Sequence, residues 1–396
     1  MNSASKPIDY REQVEQLLSE SVESVRRREQ SAFDELLASA DNRIVLFGAG
    51  ILGRKVLGRL RSVGIEPLAF ADNNQARWGS TIEGVPVLSP SSAAEKFGSN
   101  ALFMVTIWSR GHTFCETYEQ LSRLQCKRVV PTSLIRWKFA AEMLPDLCQD
   151  LPHKMFEDAD AARAGAWLWS DDRSRQEYLN HLKWRAFGDM GALGMPDPEE
   201  SYFLASRYRM LPGEVLVDCG AYDGDTIKRI LCHAPKFERI YAVEADPANF
   251  RLLQDWAKTL DPEIASRIEL HNVAVGASHG HVRFAATGGE DARVSSDGDV
   301  VVDCVPLDEL AGESMPTFIK MDIEGFELEA LQGARDIIQK QEPILSICAY
   351  HRQSDLWRIP LYIRSLVDDY HLFLRTHDGD GCQLVCYAVP AKRLQK

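Results

Sequence analysis

The stretch VLVDCGAYDGDT, Val215–Thr226, decides the fold of its half of the chain. Apolar residues run into an acid, Asp218, and Gly220 and Gly224 follow on the pattern D-x-G-x-x-x-G. That is a buried strand, a tight turn and a helix beginning near Thr226, whose free N–H groups suit a carboxylate. An earlier stretch, RIVLFGAGILG at Arg43–Gly53, has the complete G-x-G-x-x-G spacing through Gly48, Gly50 and Gly53. In that pattern the first glycine makes the turn, the second admits a pyrophosphate and the third lets the helix pack close to the strand. Asp72 ends the next strand, IEPLAFAD, where an acid takes a ribose hydroxyl. Two strand–turn–helix units of this kind make the chain α/β, with two Rossmann-like domains.

A length of 396 residues is too much for one ordinary core. The apolar share, 45%, is that of a globular protein, and no apolar run approaches the ~20 residues that span a bilayer. The N-terminus MNSASKPIDYREQ lacks a basic segment followed by an apolar one, so the cytoplasm is the expected setting and a membrane is not. The net charge of −13 argues against a nucleic-acid partner, which needs clustered Lys and Arg. Nine cysteines without a CxxC pair fit reduced, mostly buried thiols.

Residues 1–42 carry an interrupted helical stripe, Val14, Leu17, Leu18, Val22, Val25, Phe33, Leu36 and Leu37, expected to pack on the next domain; a second copy of the chain is the alternative partner. Residues 43–140 alternate strand and helix as a small parallel unit. Residues 141–210, with Trp167, Trp169, Trp184 and Phe187 among charges, are expected to be a helical connector. Residues 211–396 form a longer α/β series. Five parallel-type strands with intervening helices precede a closing hairpin, HLFLRTHD with CQLVCYAVP, which is the order of a class I methyltransferase sheet.

The polar residues at the carboxyl ends of the first three strands of that series suggest an S-adenosylmethionine site. Asp218 is placed to hold a cationic amino group. Gly220, Ala221, Tyr222, Asp223, Gly224 and Thr226 form the loop and the helix start. Glu244, beside Ala245, offers two oxygens to a vicinal diol, and Asn272, beside Val273, offers an amide to an adenine edge. Tyr222 stands where the other loop has Gly50; a cofactor without phosphates tolerates a side chain there.

On these residues the segment 165–396 resembles the FkbM family of methyltransferases, through VDCGAYDGDTI (217–227), YAVEADPANF (241–250), HNVAVG (271–276), VPLDEL (305–310) and FIKMDIEGFELEALQGA (318–334). The resemblance implies S-adenosylmethionine as donor and a hydroxyl as the usual acceptor. The first unit, through FGAGILGRKVLGRL (47–60) and FADNNQARWGSTIEGVPVLSP (70–90), resembles the N-terminal domain of certain sugar acyltransferases, which implies recognition of a sugar or nucleotide.

At the end of the fourth strand, Asp322 and Glu324 suit a hydroxyl acceptor that must shed a proton, and His351 after the fifth strand is a second candidate base. No metal set is assigned; Mg²⁺ on Asp322 and Glu324 is the less favoured alternative, because two acids lack a third ligand. The expected activity is O-methylation of a small hydroxylated molecule, a sugar or a secondary metabolite. The competing reading is a nucleotide-sugar or NAD enzyme, or a binding module, acting through Gly48, Gly50, Gly53 and Asp72.

Overall fold

The computed structural model describes residues 9–395, apart from 235, 287–288, 290–292, 295–296 and 312–314. The chain divides into two compact units, one of residues 1–163, 176–196 and 378–382, the other of 164–175, 197–377 and 383–396.

In the first unit the short apolar runs become strands β1 (Ile44–Phe47), β2 (Ala69–Ala71), β3 (Thr81–Ile82), β4 (Val85–Leu88), β5 (Leu102–Val105) and β6 (Arg128–Val130). Their order is β3-β4-β2-β1-β5-β6, parallel except for the β3/β4 hairpin. Every residue of β1, β2 and β5 is buried, as a parallel sheet covered by helices requires. The N-terminal stripe forms two helices, Tyr10–Leu17 and Val22–Ala38. Phe33 and Leu37 of the second join Ile44, Leu46, Leu57 and Met104 in one core, so this face is spent inside its own unit.

The second unit holds β7 (Val215–Cys219), β8 (Arg239–Val243), β9 (Ile268–His271), β14 (Phe318–Met321), β15 (Ile344–Cys348), β16 (Tyr370–Thr376) and β17 (Leu384–Pro390). Their order is β16-β17-β15-β14-β7-β8-β9. The five strands from β9 to β15 are parallel, and β17 enters antiparallel beside β15. This is the sheet expected from the sequence. The strands run outward in both directions from β7, so the loops after β7 and β14 meet at a switch point, where open α/β sheets bind ligands.

The stretch after β9 does not extend the main sheet. It folds into a separate four-stranded sheet of β10 (Ala274–Val275), β11 (Gly280–Ala285), β12 (Arg293–Val294) and β13 (Val300–Val305), around Ala274, Phe284, Val302 and Cys304. The stretch 141–210 is helical only in part: the helix Asp172–Phe187 ends it, and no α-helix follows until Asp225. Gly188, Asp197, Pro196 and Pro198 interrupt any helical run there, and Asp197 is instead buried against Arg375, 3.2 Å away.

All nine cysteines are free thiols, and Cys232, on the helix Asp225–His233, is the exposed one. Among the described residues no helix is long and apolar enough to cross a membrane.

Candidate functional site

The loop after β7 is built by close contact. Gly220 has φ +80°, and a Cβ there would lie 1.9 Å from the Asp322 carbonyl oxygen after β14. Only glycine lets the two loops lie side by side. Tyr222 also has positive φ, +47°, so the position without glycine keeps a left-handed backbone and carries a side chain on it. What holds it is Glu244, whose Oε2 accepts the Tyr222 N–H at 2.8 Å while Oε1 accepts the Asp246 N–H at 2.7 Å. Burial raises the pKa of Glu244 and these two bonds oppose the rise. Among the described residues no cation pairs with it directly. Asn272 donates its amide to the Glu244 and Ala245 carbonyls, at 2.9 and 3.2 Å, which leaves its Oδ1 as the atom for a ligand donor. Val273 beside it is half-buried.

Gly220, Ala221, Tyr222, Asp223, Gly224, Glu244, Ala245 and Asn272 thus gather at one sheet edge. Ala221 is fully buried and Thr226 nearly so, in the first turn of the helix. The Asp223 Oδ1 atom is buried with no hydrogen-bond partner among the described residues.

Asp218 is elsewhere. It is fully buried inside the sheet, directly across from Lys320 of β14 in register, and Lys320 Nζ sits 2.9 Å from its Oδ1. Lys320 Nζ also donates to the Gly220 carbonyl at 2.7 Å. Burial works against this ammonium, but Asp218, with Asp322 and Asp225 beyond it, holds its pKa well above the usual lysine range. The cation that Asp218 was expected to hold therefore comes from the protein, and the pair ties the loop after β7 to β14. A lone lysine in the apolar run FIKM, paired with a lone acid in VLVDC, was the signal for it.

Asp322, Glu324 and His351 come together after β14 and β15. His351 Nε2 is 3.3 Å from Asp322 Oδ1 and 3.5 Å from Glu324 Oε1, and its Nδ1 is 2.8 Å from Glu327 Oε1. Burial lowers the pKa of this histidine, yet Glu327 and Glu324 outweigh burial and hold it well above its usual value. With carboxylates on both sides, His351 is poorly suited to the role of base. Tyr202 and Tyr350 add hydroxyls to Asp322, at 2.6 and 3.3 Å. Glu327 and Tyr350 were not singled out as site residues from sequence. Glu327 opens the helix Glu327–Gln332, three residues beyond Glu324, and Tyr350 gave no signal.

In the first loop, packing explains two glycines and not the third. A Cβ on Gly53 would lie 2.1 Å from the Gly48 carbonyl oxygen, and one on Gly48 would lie 2.8 Å from Ile107, whereas one on Gly50 would meet nothing within 4 Å. Asp72 is already engaged three times: its carboxylate accepts from the Ala49 N–H at 2.9 Å, the Asn74 N–H at 2.8 Å and Arg77 at 2.9 Å. Both loops are thus fastened by the acid that ends the next strand, but only in the first does an arginine neutralise that acid.

The family described as "Methyltransferase FkbM domain" matches residues 218–378. The crystal structure of an FkbM methyltransferase from Methylobacillus flagellatus KT is 25% identical, with a TM-score of 0.75 over 96% of this chain and 100% of that one. A precorrin-6y C5,15-methyltransferase from Geobacter metallireducens GS-15 is 12% identical over 46% of this chain and 84% of its own, with a TM-score of 0.29. A UDP-D-quinovosamine 4-dehydrogenase from Vibrio fischeri is 23% identical over 22% of this chain and 77% of its own, with a TM-score of 0.19. No curated protein matches the chain.

Proposed function

The chain belongs to the FkbM methyltransferase family through residues 218–378, and on that premise we propose that it moves the methyl group of S-adenosylmethionine to a hydroxyl of a small molecule. The observation that carries the donor assignment is Glu244. Its carboxylate is held by two loop amides and paired with no cation among the described residues, so oxygen lone pairs stay available for a ribose diol. Gly220–Gly224 and the start of the helix after them face the methionine end, and the Asn272 Oδ1 can take the adenine amino group.

Asp322 and Glu324 serve the acceptor. In the reaction the acceptor oxygen bonds to the methyl carbon, the S–CH₃ bond breaks with its electron pair going to sulfur, and the hydroxyl proton passes to one of these carboxylates. Most of the rate comes from aligning sulfur, methyl and oxygen. A sugar hydroxyl as acceptor follows from the resemblance of the first unit. The cytoplasm remains the proposed setting.

Calorimetry tests the donor. The wild type should bind S-adenosylmethionine and Glu244→Ala should bind it at least ~10-fold more weakly, the loss of two charge-assisted bonds. Absence of binding by the wild type, or unchanged binding by the variant, overturns the assignment. A panel of hydroxylated acceptors, scored for methylated product by mass spectrometry, then identifies the substrate class.

A second reading is favoured by one observation, the open space over Gly50. The first loop accepts a phosphate-bearing ligand, a nucleotide or nucleotide sugar, at the N-terminus of the helix Ile51–Ser62.

A further inference from the structure

Asp322 and Glu324 alone lack a third ligand, and the fold supplies one. One ligand atom each from Asp322, Glu324 and His351 lie within 4.8 Å of one another. The His351 side chain is 2% exposed, and its Nε2 has no hydrogen-bond partner among the described residues although it points at both carboxylates. Its distances to them, 3.3 and 3.5 Å, exceed the ~2.7–2.9 Å of a charge-assisted hydrogen bond. The ring is aimed between the acids and bonded to neither. Its other nitrogen is fixed by Glu327, which is itself held by the Ile323 N–H at 2.9 Å. A buried imidazole with one nitrogen oriented by a carboxylate and the other facing further carboxylates is how proteins set a metal-ligating histidine. Three carboxylates around one ring also leave net negative charge even when the ring is protonated, and a dication offsets it.

We propose that Asp322, Glu324 and His351 Nε2 bind a divalent first-row transition cation, of the Mn²⁺ or Zn²⁺ kind, with Glu327 as a positioning residue. The imidazole nitrogen sets the preference, because Mg²⁺ and Ca²⁺ seek oxygen-only sites. Three protein ligands leave positions open for an acceptor oxygen, whose proton a cation makes easier to remove. This role rests on the O-methylation reading; the cation site itself does not.

The test uses the full chain, stripped with EDTA and titrated with MnCl₂ while the free Mn²⁺ signal is followed by electron paramagnetic resonance. The expected result is one tight Mn²⁺ per chain, displaced by ZnCl₂ and not by equimolar MgCl₂. Asp322→Asn and His351→Asn should each weaken binding at least ~10-fold, and Glu327→Gln roughly 10-fold with an unchanged far-ultraviolet spectrum. His351 is buried, so Asp322→Asn, at a partly exposed position, is the deciding variant if His351→Asn does not fold. Wild-type protein that binds neither Mn²⁺ nor Zn²⁺, or binding that survives Asp322→Asn, overturns the site. S-adenosylmethionine calorimetry on the same stripped samples separates the two readings. Donor binding without metal binding sinks the cation site alone, and metal binding without donor binding sinks the donor assignment alone.

Discussion

At the scale of single residues, the pair Asp218–Lys320 fastens the loop after β7 to β14. Both side chains are essentially excluded from water, and the lysine reaches both the acid and the Gly220 carbonyl. Lys320→Met leaves a buried carboxylate without its cation and should cost about 3–5 kcal/mol. Adding Asp218→Asn should recover part of that loss, because the uncompensated charge is then gone. Chemical denaturation of the two single variants and the double variant measures it, and strict additivity would refute the coupling. Residue identity marks a lone lysine in FIKM and a lone acid in VLVDC but does not pair them. Asp218 was legible as a strand-end acid, but its partner is set by the register of β7 on β14, a hundred residues apart in the chain. In the same way Asp322, Glu324 and His351 were each legible as polar residues at strand ends, while their convergence on one point depends on the backbone after β14. Glu324 there has φ +55° and Gly325 has φ +95°.

At the scale of elements, the last strands are held by a buried network. Asp171 accepts from the Ser174 amide at 2.8 Å and hydroxyl at 2.6 Å, and from Arg375 and Arg207 at 2.7 Å each. It thereby ties the start of the helix Asp172–Phe187 to β16. Burial opposes ionisation of Asp171, but the Arg375 guanidinium and Ser174 outweigh it and hold the carboxyl well below its usual 3.8. A carboxyl depressed in the folded state stabilises above its unfolded pKa. The contribution is complete above about pH 5 and is lost as pH falls through ~4 toward the folded value. Asp171→Asn should therefore lower stability at pH 7 by on the order of 2 kcal/mol, less than a fully broken buried pair because Asp197 stays with Arg375. It should also flatten the acid limb of a melting-temperature profile between about pH 5 and 3. An unchanged limb would show that the network contributes nothing. The order of strands was legible because apolar runs, turns and helical periods alternate without ambiguity. The small sheet β10–β13 was not, since short alternating strands carry no mark of which sheet they join.

At the scale of the whole molecule, two Rossmann-like units raise the question of which loop binds. Gly50→Val should leave folding unchanged, because a Cβ there meets nothing. Titration of wild type and variant with NAD and with a UDP-sugar decides the role of the first loop. Binding by the wild type that the variant loses supports the phosphate-bearing ligand, and equal heats from both proteins refute it. Binding of S-adenosylmethionine should be the same in both. The glycine spacing was legible from the sequence, but not the pairing of Asp72 with Arg77 and two amides, which leaves that acid fewer lone pairs for a ribose than Glu244 keeps.

The exposure of Cys232 has a practical consequence. Thiolate is the reactive form of cysteine, and alkylation follows both access and ionisation. Cys115 and Cys382 are partly exposed, but burial and nearby carboxylates push their pKa values up, and the remaining six thiols are buried. A maleimide fluorophore should therefore add once, at Cys232, on the helix that follows the loop after β7. A change in its emission on adding S-adenosylmethionine would then test the proposed donor site in real time, in the native sequence, with no engineered label site.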